Sequence, residues 1–140
     1  MTNLLLALGG TAIVFIFLII KGSGSGWGEI ATYASNAGFS GEDLIFAVAV
    51  ALAESGGNPN AYNPETAAGA PEGKGSYGLW QIYLHAHPEF EGQDLFDPEV
   101  NANAAYQVYV QAGRRFTPWS TFKNAAYVSK LDEARKQVPA

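Results

Sequence analysis

Leu44-Ile45-Phe46-Ala47-Val48-Ala49-Val50-Ala51-Leu52-Ala53-Glu54-Ser55-Gly56-Gly57-Asn58-Pro59 is apolar on nearly every side until a single carboxylate and a glycine-asparagine-proline break. Leu44, Ile45, Val48 and Leu52 recur at helical spacing, and the small Ala47, Ala49, Ala51 and Ala53 let neighbouring helices approach. Ser40 reads as the N-cap, with Glu42 and Asp43 in the first turn, where the helix dipole favours acid. The pattern predicts a buried central helix with Glu54 in its last turn. A carboxylate there faces the negative end of the macrodipole, and apolar neighbours add a desolvation cost to its charged form. Both effects raise its pKa, as a general acid working near neutral pH requires. The competing reading is an exposed glutamate at a frayed helix end.

Outward from this helix, the chain reads as further helices. Upstream, Trp27, Ile30, Ala31 and Ala34 fall at helical spacing, and Gly38 sits at a C-cap position. Downstream, residues 56–77 hold Asn58-Pro59, Asn63-Pro64, Gly69, Pro71, Gly73 and Gly75. So long a loop within one domain is usually functional or disordered, and we favour function. Gly78 to Leu84 is expected to form a short helix. Asp97-Pro98-Glu99 is a helix start, with an N-cap aspartate and proline at the first helical position. Val100, Ala104, Val108 and Ala112 trace one face of that helix, and Gly113 closes it. Ser120 opens a last helix carrying Phe122, Ala126 and Leu131. No strand alternation stands out, so the expected class is mainly α, with a small β-hairpin in the long loop.

Several separated motifs occur in a recognisable order. Glu54-Ser55-Gly56-Gly57-Asn58-Pro59-Asn60-Ala61 precedes Gly75-Ser76-Tyr77-Gly78-Leu79-Trp80-Gln81-Ile82. Phe96-Asp97-Pro98, Asn101 and Phe116-Thr117-Pro118-Trp119-Ser120 follow. Over about Asp43 to Ala134 the chain resembles the soluble lytic transglycosylase and goose-type lysozyme-like family, most closely the small muralytic domains of bacteriophage particles and tails. The resemblance implies a lysozyme-like fold that cleaves the β-1,4 bond between N-acetylmuramic acid and N-acetylglucosamine in peptidoglycan. It implies Glu54 as the catalytic residue and a substrate groove touched by Ser55, Ser76, Tyr77, Gln81 and Tyr127. Trp80 stands where the family often has methionine, and Tyr127 lacks the asparagine that usually follows it.

Most glycosidases pair two carboxylates. Asp97 reads as a helix cap, while Glu65 and Glu72 lie in the long loop with nothing in the sequence to mark either out. A single glutamate fits the lytic transglycosylases, in which the resemblance implies help from the sugar N-acetyl group and closure of a 1,6-anhydro ring by its C6 hydroxyl. Hydrolysis is the close alternative. Ser55 has a second reading as a helix-end hydrogen-bonding group, and Trp80 as core. His85 and His87 lack a third ligand, so no metal is expected, and no cofactor.

The chain has 140 residues and fits one domain; it has no cysteine and a net charge of −5. That charge gives no electrostatic footprint for nucleic acid and no strong steering toward anionic wall polymers. The expected partner is the glycan strand of peptidoglycan, held by groove contacts. Leu4 to Ile20 is uncharged, long enough for about 25 Å of helix, and followed by Lys21. No basic residue precedes it, which favours an uncleaved anchor over a signal peptide. The expected organisation is a transmembrane anchor over 1–21, a flexible Gly22-Ser23-Gly24-Ser25-Gly26 tether over 22–26, and the catalytic domain over 27–140. The domain would then face the cell wall from a membrane, in a virion membrane, tail or vertex, with virion proteins as further partners. The rival reading is a membrane-anchored structural or wall-binding protein that keeps the fold without the activity.

Overall fold

Two helices come first among residues 27–139, which the computed structural model describes: α1 (Glu29–Ala37) and α2 (Gly41–Ser55). The anchor and tether expected over 1–26 lie outside the described residues. Among the described residues no helix is long and apolar enough to cross a membrane.

α2 is the central helix the sequence predicts. Ala47, Val48, Ala49, Val50 and Ala51 have no exposed surface, so five successive residues are covered on every side. Gly38 ends α1 as expected, its N–H reaching the carbonyls of Ala34 and Ser35. Ser40 sits at the N-cap of α2, but its side chain makes no capping bond. The first-turn Asp43 instead accepts a hydrogen bond from the Tyr109 hydroxyl.

The chain then forms a three-stranded antiparallel sheet in the order β1-β2-β3, from β1 (Tyr62–Asn63), β2 (Ser76–Tyr77) and β3 (Ile82–Tyr83). The hairpin expected in the long loop is therefore present. The helix expected over Gly78 to Leu84 is not: those residues form the β2–β3 turn and β3. Gly78 (φ +75°) and Gln81 (φ +47°) both adopt left-handed backbone, which no α-helix accommodates. Gly75 is fixed by packing, since a Cβ there would lie 2.0 Å from the Asn63 carbonyl oxygen on the paired strand.

α3 (Pro98–Gln111) starts as predicted, with Asp97 Oδ1 accepting from the N–H groups of Glu99 (2.9 Å) and Val100 (3.0 Å). The single last helix expected from Ser120 is broken into three pieces. They are α4 (Ser120–Lys123), a 3-10 segment (Ala126–Lys130) and α5 (Leu131–Gln137). Ala125 at φ +65° is the break, because a left-handed residue cannot carry an α-helix through. α1, α4, α5 and the 3-10 segment all pack on α2. An aromatic group of Phe39, Tyr106, Tyr109 and Phe116 closes the end near Ser40, with ring centroids 4.9–5.8 Å apart.

Candidate active site

Glu54 lies half-buried one residue before the end of α2. Gly56, in left-handed conformation, stops the helix with its N–H on the Leu52 carbonyl. Burial is the main cause that pushes the Glu54 carboxyl above its ordinary range. Hydrogen bonds from the Thr121 side chain and backbone oppose the shift, and the negative charge of Glu65 adds to it. The net direction is upward, so the neutral, proton-carrying form persists toward higher pH.

Thr121 Oγ1 donates to Glu54 Oε2 at 2.8 Å, across most of the domain in sequence. Two tryptophans build that contact. Trp80 is fully buried and donates from Nε1 to the Ala47 carbonyl of α2 at 2.9 Å. Trp119 donates from Nε1 to the Trp80 carbonyl at 2.8 Å and caps α4, which carries Thr121. Trp80 is thus core, and through Trp119 it sets where Thr121 meets the carboxylate. Sequence reading missed Thr121; the only signal was the Phe116–Ser120 motif immediately before it.

Glu65 approaches from the sheet side. Ser76, on β2 and only 3% exposed, donates from Oγ to Glu65 Oε2 at 2.7 Å. Glu65 itself holds a left-handed backbone (φ +53°), and its N–H bonds the Asn63 side chain at 3.1 Å. Glu54, Thr121, Glu65 and Ser76 are therefore linked by contact or by charge.

The other predicted groove residues are placed as follows. Ser55 Oγ donates to the Ala51 carbonyl at 2.9 Å and accepts from the Gly57 N–H at 3.2 Å, satisfying the helix end. Gln81 Nε2 donates to the carbonyls of Ala61 (3.1 Å) and Gly78 (3.0 Å), which uses both amide hydrogens. What Gln81 can offer a ligand is its carbonyl oxygen, an acceptor for a hydroxyl or an acetamido N–H. Tyr77 points to the opposite face of β2 from Ser76. Its ring packs on Tyr62 (4.7 Å) and Phe96 (5.1 Å), and its hydroxyl donates to the Gly73 carbonyl. Tyr127 stacks on Phe122 at 4.5 Å and meets Phe46 edge-on. Phe46 precedes Glu54 by about 12 Å along the helix axis. Among the described residues no group of three or more His, Cys, Asp and Glu could hold a metal ion.

Residues 31–121 match the model of the lysozyme-like domain family. The chain belongs to that family. The matched stretch contains Glu54, Glu65, Ser76, Gln81 and Thr121, while Tyr127 lies beyond it. No curated protein and no solved structure matches the chain. A lysozyme-like domain implies a peptidoglycan-cleaving glycosidase with peptidoglycan as its substrate, and Glu54 stands within the matched stretch near the end of its central helix.

Proposed function

We propose that this lysozyme-like domain cleaves the β-1,4 bond between N-acetylmuramic acid and N-acetylglucosamine by the non-hydrolytic 1,6-anhydro route. The observation that carries the proposal is Glu54 itself, half-buried, raised in pKa and held by Thr121 at the end of the central helix. Its proton passes to the glycosidic oxygen as the bond from C1 breaks and the electron pair leaves with that oxygen. The substrate's acetamido carbonyl oxygen bonds to C1 in its place. The C6 hydroxyl oxygen then attacks C1, displaces the acetamido oxygen, and gives its proton to the Glu54 carboxylate. One residue acts first as acid and then as base. Fragments ending in 1,6-anhydro-N-acetylmuramic acid support this route. Reducing ends would keep Glu54 as the acid and put water in place of the C6 hydroxyl.

Thr121 gives a pH test. Its hydrogen bonds favour the ionised carboxylate, so Thr121→Val is expected to raise the Glu54 pKa further. Because the acid must be protonated, the alkaline limb of kcat/KM for peptidoglycan cleavage moves to higher pH. A limb that moves to lower pH contradicts the role of Thr121.

The enzyme acts close to a membrane in this proposal, held by the apolar Leu4 to Ile20 run and the short Gly22–Gly26 tether. A phage particle opening the wall locally during genome entry is the setting that the motif resemblance favours. A mature N-terminus at Met1 or Thr2 supports the retained anchor, and one near Gly22 removes it.

A further inference from the structure

We propose that Glu65, held by Ser76 beside the β1–β2 pair, is a second catalytic carboxylate that stabilises the positive charge formed on the substrate's acetamido group. The inference rests on the glycan-cleaving reading of the Glu54 site.

Three observations converge on this residue. Ser76 is buried, yet it spends its hydroxyl proton on Glu65 Oε2 at 2.7 Å, which fixes the carboxylate at one place on the sheet side. Glu65 is also held in left-handed backbone, which is disfavoured for a non-glycine residue. Asparagine or glycine would sit there more easily, and backbone strain of this kind concentrates at functional sites. Finally, the negative charge of Glu65 adds to the upward shift of the Glu54 carboxyl, which couples the two groups electrostatically. The other carboxylates considered are placed differently. Asp97 is committed to the N-cap of α3, and Glu72 is exposed on the long loop.

The proposed route develops a charge that such a group would stabilise. When the C1–O bond breaks and the acetamido carbonyl oxygen bonds to C1, positive charge spreads over the resulting O–C–N unit. Its N–H becomes a strong donor. A preorganised anion accepting that N–H stabilises the cation without taking the proton, and so strengthens as charge develops. The C6 oxygen then attacks C1, the C1–acetamido oxygen bond breaks with its pair returning to the acetamido group, and the C6 proton goes to Glu54. Glu65 takes up no proton in these steps, and Ser76 is a positioning residue for it.

The test compares the full-length protein with Glu65→Gln, Ser76→Ala and Glu54→Gln on purified peptidoglycan. Glutamine keeps the shape and can still accept from Ser76, so Glu65→Gln should fold. Glu65→Asn, better suited to left-handed backbone, removes the same charge if it does not. The expected result for Glu65→Gln is a fall in kcat of about 10²-fold with KM within about threefold. Affinity for an N-acetylglucosamine-derived thiazoline, whose ring nitrogen when protonated presents the N–H of the cyclised acetamido intermediate, falls with kcat. Affinity for an uncleaved chitooligosaccharide does not. Ser76→Ala produces the same split at smaller size. Glu65→Gln with kcat within about twofold of wild type overturns the inference while leaving the Glu54 reading intact, as does equal loss of both affinities. A wild type that releases no fragments overturns both.

Discussion

Replacing Glu54 with glutamine is expected to lower glycan release by about 10²–10⁴-fold while the domain stays folded. The amide has nearly the shape of the carboxyl group and can still accept the Thr121 hydrogen bond. It has no proton to give to a leaving oxygen. Stability should respond in the opposite direction. The folded-state pKa of Glu54 is raised, so the folded chain binds its proton more tightly than the unfolded chain does. The stability this group contributes is full below the ordinary carboxylate pKa. It is lost as pH rises through the raised folded-state value. Above that window the wild type carries a disfavoured buried charge and Glu54→Gln does not. Thermal melts should therefore place the variant above wild type near neutral pH, with the gap shrinking in acid. A variant that melts below wild type at every pH would contradict burial as the main cause of the shift.

Asn101→Ala is expected to be among the most destabilising single changes in the domain, at roughly 3–4 kcal/mol. Asn101 has no exposed surface. Its Oδ1 accepts from the Trp80 N–H at 2.8 Å, and its Nδ2 donates to the carbonyls of Tyr77 and Leu95, each at 2.8 Å. Alanine leaves three backbone groups without these partners and opens a void beside them. The surroundings cannot close over it easily. A Cβ on Gly78 would already lie 2.4 Å from both Asn101 Nδ2 and the Leu95 carbonyl oxygen. For a domain of this size the melting temperature should fall by roughly 15–25 °C. The lost bonds also hold Tyr77 at the start of the turn that carries Gln81 and Trp80 within it, so substrate affinity should weaken in whatever fraction remains folded. A loss below about 1 kcal/mol by chemical denaturation would show that Asn101 does not organise this turn.

The features legible in the sequence are those governed by neighbours along the chain. The all-round apolar run gave α2, the Asp97-Pro98-Glu99 signature gave the start of α3, and Gly38 gave the end of α1. Glu54 was legible because its position at a helix end is a local fact. Its raised pKa was expected from the dipole and from burial, and burial proves the leading cause.

The rest depends on contacts far apart in sequence. Leu79-Trp80 and Ile82 are too short an apolar run to separate helix from strand, and two-residue strands show no alternation. Only the pairing of Ser76 with Asn63 and Tyr83 settles that segment as sheet. Thr121 is brought to Glu54 by the hydrogen bond from Trp119 to the Trp80 carbonyl, which no spacing rule contains. Glu65 and Glu72 look alike in the loop, and the Ser76 hydroxyl is what distinguishes them. Ala125 carries no turn signal, so the break in the C-terminal helical region was invisible.

The most direct test of the central claim is mass spectrometry of the fragments released from purified peptidoglycan by the full-length protein and by Glu54→Gln. The account predicts fragments ending in 1,6-anhydro-N-acetylmuramic acid from the wild type and none above background from the variant. Equal release by both proteins, or no release by a folded wild type, would contradict it.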